Sequence, residues 1–199
     1  MLYLYDRAIC KDLRRSLDPD NVPNPVVSVV ENDQIAGIAA QLQEDKISFP
    51  IICVRRNDNT PIDQSRMNFT RAHRGVASVL DDKTNELYYE KAIPINLSYT
   101  LCIYATNQAD IDELVRELTF KYISMYFLTI QLPYESDRSL RFGVSIDPDT
   151  EISRASGSSQ YLENGTLYEA DIPIRCDGCV LLTYTSAKLR RIEYQIESK

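Results

Sequence analysis

Hydrophobic and polar positions alternate most regularly between Ile93 and Ala105. Ile93, Ile95, Leu97, Tyr99, Leu101 and Ile103 alternate with Pro94, Asn96, Ser98, Thr100, Cys102 and Tyr104. A period of two over that length predicts one long strand with one buried face. From Asn107 the period becomes helical. Ile111, Leu114, Val115, Leu118, Tyr122 and Met125 form an apolar stripe, which predicts a helix from an Asn107 N-cap to about Tyr126. Asp110, Asp112 and Glu113 occupy its first turns, where the helix dipole favours anions. Strand and helix are joined with almost no loop, so the helix is expected to lie flat on the sheet.

Other segments carry shorter versions of the same signals. Leu2, Tyr5, Ile9, Leu13 and Leu17 recur at three-to-four spacing and predict a helix over 2–17. Asp18-Pro19 ends it, and Asn21 to Pro25 reads as a stiff link. Strands are predicted at 26–30 and 49–54, with a short helix from Asn32 or Asp33 through Leu42 between them. Further strands are predicted at 127–132, 140–146, 168–176 and 180–186. The last two read as a hairpin turned at Asp177-Gly178, and Asn164-Gly165 is a second tight-turn signal. Residues 189–196 alternate and suit an edge strand or an arm. Residues 57–83 and 147–163 are polar and read as long loops or insertions. With no repeat and no linker, the pattern predicts one domain over residues 1–199. Its class is α+β, a mostly antiparallel sheet with one long helix and one or two shorter ones packed on it.

Composition narrows the function. The chain has 199 residues, 44% of them hydrophobic, which suffices for a core without disulfide or metal staples. Its 29 acidic against 22 basic residues give a net charge of -7. That balance argues against bulk nucleic-acid binding and against anionic membranes. No stretch approaches the ~18 apolar residues of a membrane helix. Charge appears by Asp6 and Arg7, unlike a signal peptide, so the expectation is a soluble protein made in a cytoplasm. Three of the five cysteines (Cys10, Cys53 and Cys102) lie singly in apolar segments, a usage that suits a reducing compartment.

Candidate chemistry is sparse. Cys176-Asp177-Gly178-Cys179 is a single knuckle, and His73 is the only histidine, whereas zinc wants four ligands. A redox CxxC opens a helix, and this one falls on a turn. His73 lies in a polar segment between Arg71 and Arg74 and reads as a solvated residue. No G-x-S-x-G, P-loop, G-x-G-x-x-G or H-E-x-x-H is present. Asp147-Pro148-Asp149 reads as a turn. The expectation is therefore no catalytic residue, no metal and no cofactor. The arginines are less even: Arg55, Arg56, Arg66, Arg71 and Arg74 concentrate in one segment, and Lys188, Arg190 and Arg191 in another. A solvated face and charge complementarity with acidic neighbours, copies of this chain included, explain them equally well.

This order of segments resembles the tail terminator, or tail-completion and sheath-stabilising, proteins of tailed bacteriophages. The resemblance rests on the N-terminal helix and the strand at Phe49 to Val54. It rests above all on Ile93 to Ala105 running directly into the helix with Asp110-Ile111-Asp112-Glu113-Leu114-Val115-Arg116-Glu117-Leu118. A closing hairpin and a terminal strand complete it. It implies a non-enzymatic virion protein. Such proteins form a ring, typically sixfold, that caps the tail tube protein and ends elongation. In contractile tails they also grip the last tail sheath ring, and they present a surface to the neck and connector proteins. The implied location is the neck-proximal end of the tail, with the host cytoplasm as the place of assembly. DNA would pass through the ring without specific binding. Arg55, Arg56, Arg71, Arg74, Arg190 and Arg191 are then the candidate assembly contacts. The alternatives are a head–tail connector or neck adaptor, the cap of a contractile injection particle, and a small enzyme using His73 or Cys176 with Cys179.

Overall fold

The alternating segment supplies the central strand of a curled sheet. In the computed structural model, residues 1–17, 27–31, 48–58, 62, 76–81, 86–132, 139–149, 151–158, 166–182 and 187–188 are described. The elements are α1 (Leu2–Ser16), β1 (Ser28–Glu31), β2 (Ile51–Arg56), β3 (Val76–Asp81), β4 (Glu86–Pro94), β5 (Leu97–Ala105) and α2 (Gln108–Tyr122). Then follow β6 (Tyr126–Gln131), β7 (Ser139–Ile146), β8 (Ser153–Ser158), β9 (Thr166–Asp177), β10 (Val180–Leu182) and β11 (Ala187–Lys188). The larger sheet runs β1-β2-β5-β9-β7-β6, with β8 also on β9. Its pairs are antiparallel except β1 with β2. The class is α+β, as the pattern predicts.

Among the described residues, α1 and α2 both cover one face of this sheet. Leu97, Tyr99, Leu101, Ile103 and Ala105 of β5 point into that layer and are buried. Ile111, Leu114, Val115 and Leu118 of α2 meet them from above. Burying each such aliphatic side chain is worth about 1.5–3 kcal/mol. The Asn107 side chain accepts from the Ala109 amide at 3.0 Å, as an N-cap should. Helix α1 packs on β1 and β2 near one end of the strand order and on β6 at the other, so the sheet curls around it. The opposite face carries a smaller buried group of Val30, Ile51, Cys53 and Cys102.

Several sequence expectations need correction. The helix after Asn107 ends at Tyr122 with Ile123 as its C-cap, so Met125 leaves the inward stripe. Residues 57–83 and 147–163 are not loops throughout, because β3 pairs with β4 and β8 pairs with β9. Ser153–Ser158 has no apolar alternation, and its extended form comes from backbone pairing with β9. The long strand over 93–105 is broken: β4 belongs to a four-stranded sheet with β3, β10 and β11, and β5 to the larger one. The expected 168–186 hairpin is not formed over its described residues, 168–182, since β9 pairs with β5, β7 and β8 while β10 pairs with β4. The expected link at 18–25, the helix from 32 to 42, the Asn164-Gly165 turn and the 189–196 strand lie outside the described residues.

A single bulge both breaks the 93–105 strand and separates β10 from β9. Chain β4–β5 and chain β9–β10 run side by side as a single antiparallel ribbon. Leu97 faces Cys176, and Pro94 faces Val180. Ile95 and Asn96 therefore oppose three residues, Asp177, Gly178 and Cys179. This is a β-bulge, and bulges bend and twist a ribbon. Gly178 sits at φ 80°, where a side chain would be strained. The Ile95 amide donates to the Cys179 carbonyl at 3.0 Å and closes the bulge. At this point the ribbon leaves the large sheet and enters the small one.

Candidate assembly surface

Large apolar side chains left in water are the informative surface feature, since buried ones are expected. Four of the six that are exposed among the described residues fall within eight consecutive positions: Phe120 at 74%, Ile123 at 69%, Met125 at 41% and Phe127 at 53%. In sequence they run from the outer side of α2, past its C-terminus, to the outer face of β6. Four exposed large apolar side chains at one end of α2 and on β6 make this end the candidate interaction surface. Strand register builds its far end. Phe127 lies opposite Gly143 of β7, and the Arg141 guanidinium stacks 4.2 Å from the Phe127 ring centre. A Cβ on Gly143 would fall 2.1 Å from the Met125 sulfur. The glycine leaves the room in which Met125 lies beside Phe127. Strand β6 also ends the strand order, and its outer backbone edge pairs with no other described strand.

The same corner rests on a buried polar knot. Asp12 of α1 is almost fully buried and accepts from Lys121 and from the hydroxyls of Tyr122 (3.2 Å) and Tyr126 (3.4 Å). Lys121 also donates to Ser16, whose hydroxyl donates to the Asp12 carbonyl at 2.6 Å. Burial pushes the Lys121 ammonium down from its ordinary range, against the pull of Asp12. Burial and the Asp12 charge push the Tyr122 phenol far up. This knot fixes the end of α2 against the end of α1, which positions Phe120 and Ile123.

The sequence-predicted residues fall in several places. Arg56 points into the helix layer and holds both oxygens of Asp6, at 3.1 and 2.8 Å. The Tyr99 hydroxyl donates to the same carboxylate at 2.8 Å. Arg55, one residue earlier on β2, faces the opposite side and stands 4.0 Å from Asp171, half exposed. Alternation along a strand thus separates two neighbours that the sequence groups together. Arg71, Arg74, Arg190, Arg191 and His73 lie outside the described residues. Phe120 is visible in the sequence as a large apolar residue off the helix stripe. Met125 and Phe127 are hidden there, because their exposure depends on where the helix stops.

Cys176 and Cys179 are buried free thiols flanking the bulge. A hydrogen bond to Cys179 and burial push the Cys176 thiol well up. Burial also raises Cys53 to about 11 and Cys102 to about 12, the latter with help from Asp171. Thiols held neutral are poor nucleophiles and poor metal ligands. Among the described residues no group of three potential ligands is gathered for a metal. A cavity of about 190 Å³ at the start of α2 is lined by Gln108, Ile111, Asp112, Arg154, Tyr168 and Glu169. Arg154 is ion-paired with Asp112 across it, and it is smaller than a typical ligand pocket.

Comparison with protein-family models found no match, and comparison with curated proteins found none.

Proposed function

We propose that this chain is a structural, non-enzymatic subunit of the tail-terminator kind. Copies assemble into a ring that caps a tail tube, ends its elongation and joins it to the neck. The observation that carries this reading is the apolar corner of Phe120, Ile123, Met125 and Phe127, beside the outer edge of β6. A ring subunit needs two different surfaces that meet in the next copy. An exposed apolar corner gains about 25 cal/mol per Å² when a neighbour covers it. A strand edge beside it can extend the sheet across the boundary. The fold offers a rigid frame for this, because the Asp12 knot holds the corner in place.

The test is sedimentation of a lysate from the protein's source, with mass spectrometry of each fraction. The expected result is co-migration with a very large particle rich in a tube-like protein. A chain that stays small and free in lysates containing assembled tails overturns the reading. The Phe120→Ser, Phe127→Ser double variant should fold as the parent does and drop out of the particle.

A further inference from the structure

Folding sorts the charges of the two helices by sign. Helix α1 carries two aspartates, and both turn inward. Asp6 is held by Arg56 and Tyr99, and Asp12 by Lys121 and Tyr122. Its exposed face is left with Tyr3, Arg7, Lys11, Arg14 and Arg15, spaced three and four apart along one side. That is four cations and no exposed carboxylate, on a chain whose net charge is -7; Arg15 also pairs with the buried Asp12 at 3.4 Å, and Arg14 donates to the Val29 carbonyl at 3.0 Å. Helix α2 does the reverse. Its Lys121 folds inward to Asp12, while Asp112, Glu113 and Glu117 stay close to half exposed. Arg116 and Arg154 pair with these anions without outnumbering the carboxylates of the face, which include Asp110.

We infer that the basic face of α1 docks on the acidic face of α2 in a second copy of this chain. The helices match in length at 15 residues each. Laid antiparallel, they place Arg7 and Lys11 of one copy beside Glu117 and Glu113 of the next. Arg14 and Arg15 then reach the Asp110 end of α2, where the two helix dipoles also oppose favourably. Tyr3 falls beside Phe120, so the apolar corner is continuous with this contact. The two surfaces differ, so the contact is head to tail and propagates to a third copy. Between copies that repel through their net charge, faces of opposite sign offset that repulsion locally and set which surfaces meet. The inference rests on the self-assembly proposed above and names the faces that carry it.

The test is sedimentation velocity over a range of protein and salt concentrations, on four proteins. These are the parent, Arg7→Glu with Lys11→Glu, Glu113→Arg with Glu117→Lys, and the four changes combined. All sites are on solvent faces, and thermal melts check that each variant folds. The parent is expected to self-associate more weakly as salt rises. Each charge-reversed pair should weaken association about tenfold or more, and the combination should restore it to within about threefold of the parent. If both reversed pairs associate like the parent, the inference fails while self-assembly stands. If the parent stays monomeric here and small in the source lysate, both fail. If the α1 reversal abolishes retention of a mixed-sequence DNA duplex and leaves association unchanged, the face is a nucleic-acid contact and the inference is overturned.

Discussion

Tyr5 and Val180 exchange two hydrogen bonds across 175 residues of sequence. The Tyr5 hydroxyl donates to the Val180 carbonyl and accepts from the Val180 amide, each at 2.9 Å. A hydroxyl can do both at once, which few side chains can. Its ring meets Phe142 edge-on at 5.0 Å. The bond pair ties α1 to β10 where the ribbon has just bent into the second sheet.

Tyr5→Phe keeps the ring and removes both bonds. It leaves a half-buried amide and carbonyl without that partner, a loss of about 1–3 kcal/mol. Urea denaturation should show the midpoint falling with an unchanged slope. A change under about 0.5 kcal/mol would mean that the phenol does not hold the bulge.

Alkaline pH should unfold the protein early. Burial raises Tyr5 from 10.0 to about 12, Cys53 from 9.0 to about 11 and Cys102 from 9.0 to about 12. Burial also raises Tyr99 and Tyr122, and Asp6 and Asp12 respectively add to it. For groups raised in the folded state, the contribution is fully present below the unfolded value and is lost as pH rises toward the folded one. Burial raises Tyr104, and a hydrogen bond to Cys179 together with burial raises Cys176, so Lys121, which is lowered and acts in the opposite sense, is one group against seven. Stability in urea should be level to about pH 8.5 and fall by about 1.4 kcal/mol per pH unit for each group engaged. A flat profile to pH 11 would contradict the assigned burial.

Asp12→Ala should be the most damaging single surface-distant change. It strands Lys121, whose side chain is 14% exposed, with two tyrosine hydroxyls. Breaking a buried ion pair from one side costs about 3–5 kcal/mol. Adding Lys121→Met removes the stranded charge and should recover part of that loss. A double variant as unstable as the sum of its parts would show that the two residues are not coupled.

Thiol reactivity should be silent in the native state. All five cysteines are buried and unbridged. A disulfide reagent should find no fast thiol in the folded protein and five after denaturation. Added zinc should leave the melting temperature unchanged. One rapidly reacting thiol, or a zinc-dependent rise, would return Cys176 and Cys179 to the list of functional candidates.

The local pattern by itself determined which residues are extended or helical in the apolar segments, and which of their faces is buried. Leu97 to Ala105 faces inward at alternate positions, and Ile111 to Tyr122 presents its stripe to the sheet. Asn107 caps its helix because a short polar acceptor at that point satisfies a loose amide. These are local consequences of period and propensity. Tertiary structure alone decided where the regular pattern was cut and what each strand paired with. A strand has the same period of two whichever sheet it joins, so the break at Ile95 and Asn96 is silent in the sequence. It is set by the extra residue in the partner chain around Gly178. Backbone pairing made strands of Ser153–Ser158, where the side chains carry no alternation. The sorting of charge came from the packing of distant elements. Asp6 and Asp12 look like ordinary surface carboxylates until Arg56, Tyr99, Lys121 and Tyr122 arrive from elsewhere in the chain.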